Sequence, residues 1–380
     1  MVAYVVASVY RILCHHCSVS HYRFWSIVCS VTRYNSLRGG QQKSAPFEKW
    51  LANGKVAVDD LPPFRSAARS RRHLRASCAA ANLTHVKHHY VPQFLLRRWC
   101  NDKGKLQSFS VRNGRVLHSS LAPRYTGYEN ALYAVVANAL GIDEDHLERK
   151  LFSPIDANAA VALGKIERRE VISEADKIAW AFFLNSLRVR QPDVLAHLRS
   201  EGLKMLSGLL AEGDTTLPAG ALSTEEWLNR NLPGMLEVQS LVSWVPRIVM
   251  HDEMTDRFAN LNWWVLEFTP EAPKLLLSDL PIHWEGGLNT DNFFIHMPIA
   301  PDRLFIGTAS EATEQLLDGL PRAELIRRVN RTSLASSSAR IWGADADEGR
   351  AFIEANVDIV SANVEPFNAV AERFQARKHT

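Results

Sequence analysis

Lys87-His88-His89-Tyr90-Val91-Pro92-Gln93-Phe94-Leu95-Leu96-Arg97-Arg98-Trp99 places two adjacent histidines directly before a proline-opened, aromatic-rich segment. Pro92 suits the first turn of a helix, where a missing N–H costs nothing, so a short helix is predicted over 92–100 after an extended 87–91. This landmark marks where the folded part begins. Working outward from it, we read a basic leader over 1–85, one globular domain over 86–365 and a tail over 366–380.

Charge divides at the same place. Residues 1–85 carry 12 Lys or Arg against 3 Asp or Glu, and the remainder carries 32 against 38, so the net +3 of the 380-residue chain hides a mildly acidic main domain. Basic surface is the electrostatic footprint of nucleic-acid binding, and here it lies almost wholly outside the expected fold. A nucleic-acid partner would therefore need a local groove of arginines. The front segment is acid-poor and bears Arg and Ser, as an organellar transit peptide does, and its apolar start loosely resembles a signal sequence without a basic region before it. The reading we favour is a disordered leader or an upstream extension of the true start. Cys14-His15-His16-Cys17 has the gap of a zinc half-site but lacks a second half at a standard spacing. Only Cys100 falls in the main domain, so no internal disulfide is available there. The longest apolar runs fall short of a bilayer span, and the expectation is a soluble, cytoplasmic protein with no membrane partner.

Periodicity in the main domain predicts an α+β fold: a mainly helical domain with a small antiparallel sheet built from an early hairpin and from strands at about 262–307. Asn113-Gly114 between alternating apolar residues signals the hairpin. Helices are expected over 143–167, 173–190, 192–212, 223–231, 235–251, 322–336 and 347–357. Ser173 with Asp176 three residues on reads as a capping box. Strands are expected over 263–268, 274–278, 293–297 and 304–307. His251-Asp252-Glu253 with Asp256 reads as a solvated turn after a helix.

The His88-His89-Tyr90-Val91-Pro92-Gln93-Phe94 string, followed by Leu96-Arg97-Arg98-Trp99, resembles the opening hallmark of the domain-of-unknown-function family DUF4238. Tyr133, Glu148, Arg190-Gln191-Pro192, Ser278-Asp279-Leu280-Pro281 and Met297-Pro298-Ile299-Ala300-Pro301 follow in the same order. The likeness covers about residues 86–365. It departs at Leu95, where members usually carry an aromatic residue, and at Leu280, where a polar residue is frequent. The resemblance implies domain extent and carries no established activity.

The chemistry weighed from these residues is that of a metal-assisted hydrolase, with a nuclease as its sharpest form. Such an enzyme needs His or carboxylate ligands converging from different elements with one position left for water. The candidate catalytic residues are His88, His89, Glu148, Arg188, Arg190 and Asp279, and the candidate ligands of a divalent metal are His89, Glu148 and Asp279. His283 shares a face with Asp279 if that segment is extended. Neighbours on a strand point oppositely, so at most one of His88 and His89 reaches a given ion. Arg188 and Arg190 point about 200° apart on a helix, so only one readily faces the interior. The alternative is a binding or structural module in which the same His, Glu, Arg and Asp side chains form a buried polar network. No glycine-rich phosphate loop and no Gly-x-Ser-x-Gly elbow occurs.

Overall fold

A computed structural model describes residues 86–216 and 220–361. The readings of the leader, including the Cys14 and Cys17 half-site, and of the tail lie outside the described residues.

The histidine motif forms strand β1 (Lys87–His89), then helix α1 (Gln93–Leu96), which tightens into a 3₁₀ turn at Arg97–Trp99. Pro92 caps this helix rather than lying inside it. The Asn113-Gly114 hairpin joins β2 (Leu106–Arg112) to β3 (Arg115–Leu121). Both turn residues take positive φ, 52° and 71°, as a tight two-residue connection between twisted strands requires. Strand β4 (Tyr128–Asn130) returns antiparallel to β1, pairing His88 with Glu129 and His89 with Tyr128.

The helical middle opens with a π turn at Glu148–Phe152 that runs into α2 (Ser153–Glu167), followed by α3 (Glu174–Val189) and α4 (Pro192–Gly213). The Ser173 hydroxyl accepts the Asp176 N–H and the Asp176 carboxylate accepts the Ser173 N–H, completing the capping box. Helix α3 is buried nearly all round, with Trp180, Phe183, Leu184 and Leu187 fully enclosed. Then come α5 (Thr224–Asn231), α6 (Met235–Val242), α7 (Trp244–Val249) and α8 (Asp252–Ala259).

Two expectations fail in this stretch. The helix expected over 235–251 is split at Ser243, because Pro246 has no N–H to donate to Val242 and its ring crowds that carbonyl. The acidic cluster expected to be a turn opens α8 instead. Asp252 and Glu253 occupy its first turn, where the helix dipole favours negative charge.

The remaining chain supplies β5 (Asn262–Glu267), β6 (Leu277–Ser278), β7 (His283–Glu285), β8 (Phe294–Ala300) and β9 (Arg303–Thr308). It closes with α9 (Glu311–Asp318), α10 (Arg322–Ser336), β10 (Ile341–Gly343), α11 (Ala346–Glu354) and α12 (Val357–Ser361). The fold is α+β, with about 51% of the described residues helical and small antiparallel sheets. The strands divide differently from the expected single sheet. The hairpin joins β10 and β6 in the order β3-β2-β10-β6, whereas β5-β9-β8-β7 form a second sheet. Trp342 on β10 decides the first grouping: it is fully buried and its indole N–H donates to the Thr126 hydroxyl at 2.9 Å, pinning the late strand beside the early hairpin. One large apolar core runs from Tyr90 through α2, α3 and β8 to Trp342.

Candidate functional site

The β1–β4 ribbon sets the two histidines on opposite faces. His88 is fully buried, stacked on Tyr133 with ring centroids 4.1 Å apart and planes 3° from parallel. Its Nδ1 accepts the Tyr133 backbone N–H at 3.2 Å, so the ring proton resides on Nε2, which has no partner among the described residues. Burial pulls this imidazole below its ordinary pKa, against the nearby Glu148 carboxylate.

His89 is half-buried and faces a cleft of about 250 Å³ lined by His89, Pro92, Gln93, Phe94, Glu148, Asp156, Ala157 and Ala160. Burial also pulls its pKa down, while hydrogen bonding to the Pro123 carbonyl and the charge of Glu148 oppose the shift. Its Nε2 is unpartnered, which assigns the Pro123 bond to Nδ1 and leaves a lone pair on Nε2.

The opposite wall is the π turn and the start of α2. Two α-helical turns take about 7.2 residues, and the wider π turn adds one. Glu148 and Asp156, eight positions apart, therefore line the same cleft. Glu148 is held from both sides: Oε2 accepts from the Tyr133 hydroxyl and Oε1 accepts from the Ser153 hydroxyl at 2.8 Å. Burial raises the Tyr133 pKa well above its ordinary value and Glu148 raises it further, so the phenol stays a donor. Asp156 receives both terminal nitrogens of Arg190, at 2.8 and 3.1 Å. Burial pushes the Asp156 carboxyl up, and Arg190 opposes the shift.

The six residues singled out from sequence thus separate. His89 and Glu148 meet at the cleft, His88 lies behind it, and Arg190 is buried behind Asp156, also donating to Ser186 Oγ at 2.6 Å and lying 4.6 Å from the Phe152 ring centroid. Arg188 leaves α3 the other way and stacks on Trp284. Asp279 does not line the cleft. It follows β6, and its carboxylate accepts the N–H groups of Ser338, Ala339 and Arg340 at 2.9, 2.6 and 2.8 Å and the Ser338 hydroxyl at 2.9 Å. Burial raises its pKa and these four donors oppose the rise. His283 faces His296 across β7 and β8, with ring centroids 5.1 Å apart, and not Asp279, because the chain turns at Pro281 between the two sheets.

Asp156 escaped the sequence reading. Its signal is its eight-residue spacing from Glu148, which fits one helix face only when the π turn is known. Among the described residues, no three His, Cys, Asp or Glu side chains converge as a metal-ligand group.

A family profile described as "Protein of unknown function (DUF4238)" matches residues 87–347, beginning at the strand that carries the two histidines and ending just past β10. The chain belongs to the DUF4238 family. The match takes in every cleft residue of this DUF4238 chain, and it excludes the basic leader. No curated protein and no solved structure matches the chain.

Proposed function

We propose that this DUF4238 protein is a hydrolase whose reaction centre is the cleft at His89, Glu148 and Asp156. The observation that carries the reading is that His89 and Glu148 line one cleft; the His89 Nε2 is unpartnered and enclosed, so proton transfer requires the imidazole to turn that edge into the cleft. An imidazole kept neutral by burial, with its tautomer fixed through Nδ1, is suited to take a proton from water or from a substrate hydroxyl. Glu148, anchored by Tyr133 and Ser153, stabilises the imidazolium that forms. The imidazolium then returns that proton to the leaving group, and Asp156, held as a carboxylate by the two Arg190 nitrogens, fixes the cleft wall beside it.

A divalent ion at this cleft would meet His89 and Glu148 and draw its other ligands from substrate and water, because both Asp156 oxygens already accept from Arg190. The nuclease form of the reading requires such an ion, because two carboxylates alone repel a phosphodiester. The alternative, a non-catalytic module, draws support from the His88–Tyr133–Glu148–Ser153 and Asp156–Arg190–Ser186 networks, which hold the wall together without any reaction. We place the protein in the cytoplasm; the support is Cys100, a free thiol and the one cysteine among the described residues, and no helix among them long and apolar enough to cross a membrane.

The test is turnover of a chromogenic ester and a chromogenic phosphodiester, with and without added Mg²⁺, Mn²⁺ or Zn²⁺, by wild type and His89→Gln. The expected result is hydrolysis that falls by about 10²-fold or more in His89→Gln at an unchanged thermal midpoint, with an acid limb below pH 6.5 because the His89 pKa lies below that value. No turnover under any metal condition, or turnover indifferent to His89→Gln, would favour the module.

A further inference from the structure

Arg188 and Arg190, two positions apart near the end of α3, leave it in different directions. Arg190 closes on Asp156. The Arg188 guanidinium lies over the indole of Trp284, its carbon 3.5 Å from the ring centroid. Among the described residues it has no carboxylate and no hydrogen-bond acceptor, and burial pulls its pKa down to about 10 with no acid to offset the loss. A guanidinium carries five donors, and a stacked aromatic face satisfies none of them.

The shelf beneath it continues. Trp284 lies 6.4 Å from Phe293 and 6.3 Å from Phe258, centroid to centroid, and reaches solvent at 36% exposure. A second cation approaches from α8: Arg257 lies 5.3 Å from the Phe293 ring, donates from Nη2 to the Thr290 carbonyl at 3.2 Å, and keeps a buried Nε with no partner. Arg257 also forms no ion pair among the described residues. On the neighbouring strands His283 and His296 are neutral by burial and supply no counter-charge. Glu285 follows Trp284 on β7 and points to the opposite face of the strand. Two arginines thus lie along one aromatic shelf, Arg188 over Trp284 with no protein acceptor and Arg257 beside Phe293 with its Nε unpartnered.

We propose that Arg188 and Arg257 form an oxyanion-binding site on the Trp284–Phe293 shelf, separate from the His89 cleft, taking the phosphoryl or carboxylate group of a small ligand. The planar guanidinium fork matches either group bidentately, and the aromatic shelf holds the fork in place before the ligand arrives. The site stands independently of the hydrolase reading, since none of its residues lines the cleft.

The full chain is titrated with sodium phosphate and, separately, with sodium acetate, each against sodium chloride at matched ionic strength, following tryptophan fluorescence and the thermal midpoint. Saturable phosphate binding is expected in wild type, lost in Arg188→Gln and weakened about tenfold in Arg257→Gln. The acetate arm shows whether carboxylates share the site. Arg188→Lys keeps the charge over Trp284 and loses the bidentate fork, so it carries the test if Arg188→Gln fails to fold: phosphate affinity is expected to fall about tenfold, and an unchanged affinity overturns the proposal. Chloride reproducing the response, or a phosphate response that survives in Arg188→Gln, overturns the proposal.

Discussion

Asp279 ties the chain around β6 to a segment some sixty residues later through one carboxylate that accepts four donors. Its replacement by Ala removes four hydrogen bonds to a charged acceptor; water reaches the exposed Ser338 and Ala339 and offsets part of the loss, and each such bond contributes about 1.5 to 3 kcal/mol. Asp279→Ala is accordingly expected to lose at least about 3 kcal/mol in urea unfolding, and an unchanged midpoint would contradict the role assigned here. Gly127 is constrained in another way. Its φ is +65°, its carbonyl receives the N–H groups of both Tyr90 and Val91, and a Cβ there would stand 3.0 Å from Leu96. Gly127→Ala should cost about 1 to 2 kcal/mol from the left-handed backbone alone. Because this carbonyl anchors the residues just after His89, the same variant should also perturb the cleft, read as a changed His89 pKa in histidine NMR titration.

At the scale of elements, the β7–β8 pair carries a pH dependence. Burial lowers His283 well below its ordinary pKa and His296 to about 4, and both rings have a nitrogen without a partner. The unfolded chain binds protons on these residues near pH 6.5, where the folded chain does not. Stability is therefore fully present above about pH 6.5 and is lost as pH falls from there toward 4. His88, His89 and His251, also lowered by burial, act in the same direction. The thermal midpoint should drop between pH 7.5 and pH 5, and His296→Gln should flatten that slope; a slope of opposite sign excludes these histidines as its source. The α2–α3 pair rests on Arg190 and Asp156. Arg190→Met removes the partner of a partly buried carboxylate and is expected to cost about 3 kcal/mol, with Asp156 moving further above its ordinary pKa.

At the scale of the molecule, one core joins Tyr90, α3, β8 and Trp342, so the described elements should unfold together. Urea transitions followed by tryptophan fluorescence and by far-ultraviolet circular dichroism should coincide for a chain of residues 86–365; two separated transitions would contradict a single cooperative core. Local signals were legible in the sequence because they depend on neighbours along the chain. Asn113-Gly114 specifies its turn through backbone conformation, the Ser173–Asp176 box caps α3 through a three-residue reach, and the alternation of a strand separates His88 from His89. The family likeness was carried by the same contiguous motif that begins the matched region. What the tertiary structure alone decided depends on contacts between residues remote in sequence. It brought the loop at Ser338–Arg340 to Asp279, so that a residue read as a possible metal ligand spends its carboxylate on backbone donors. It seated β10 beside the hairpin through Trp342, and it turned Asp156 toward His89 through an extra residue in the π turn. No periodicity encodes these meetings, because they follow from how packed elements satisfy one another's buried polar groups.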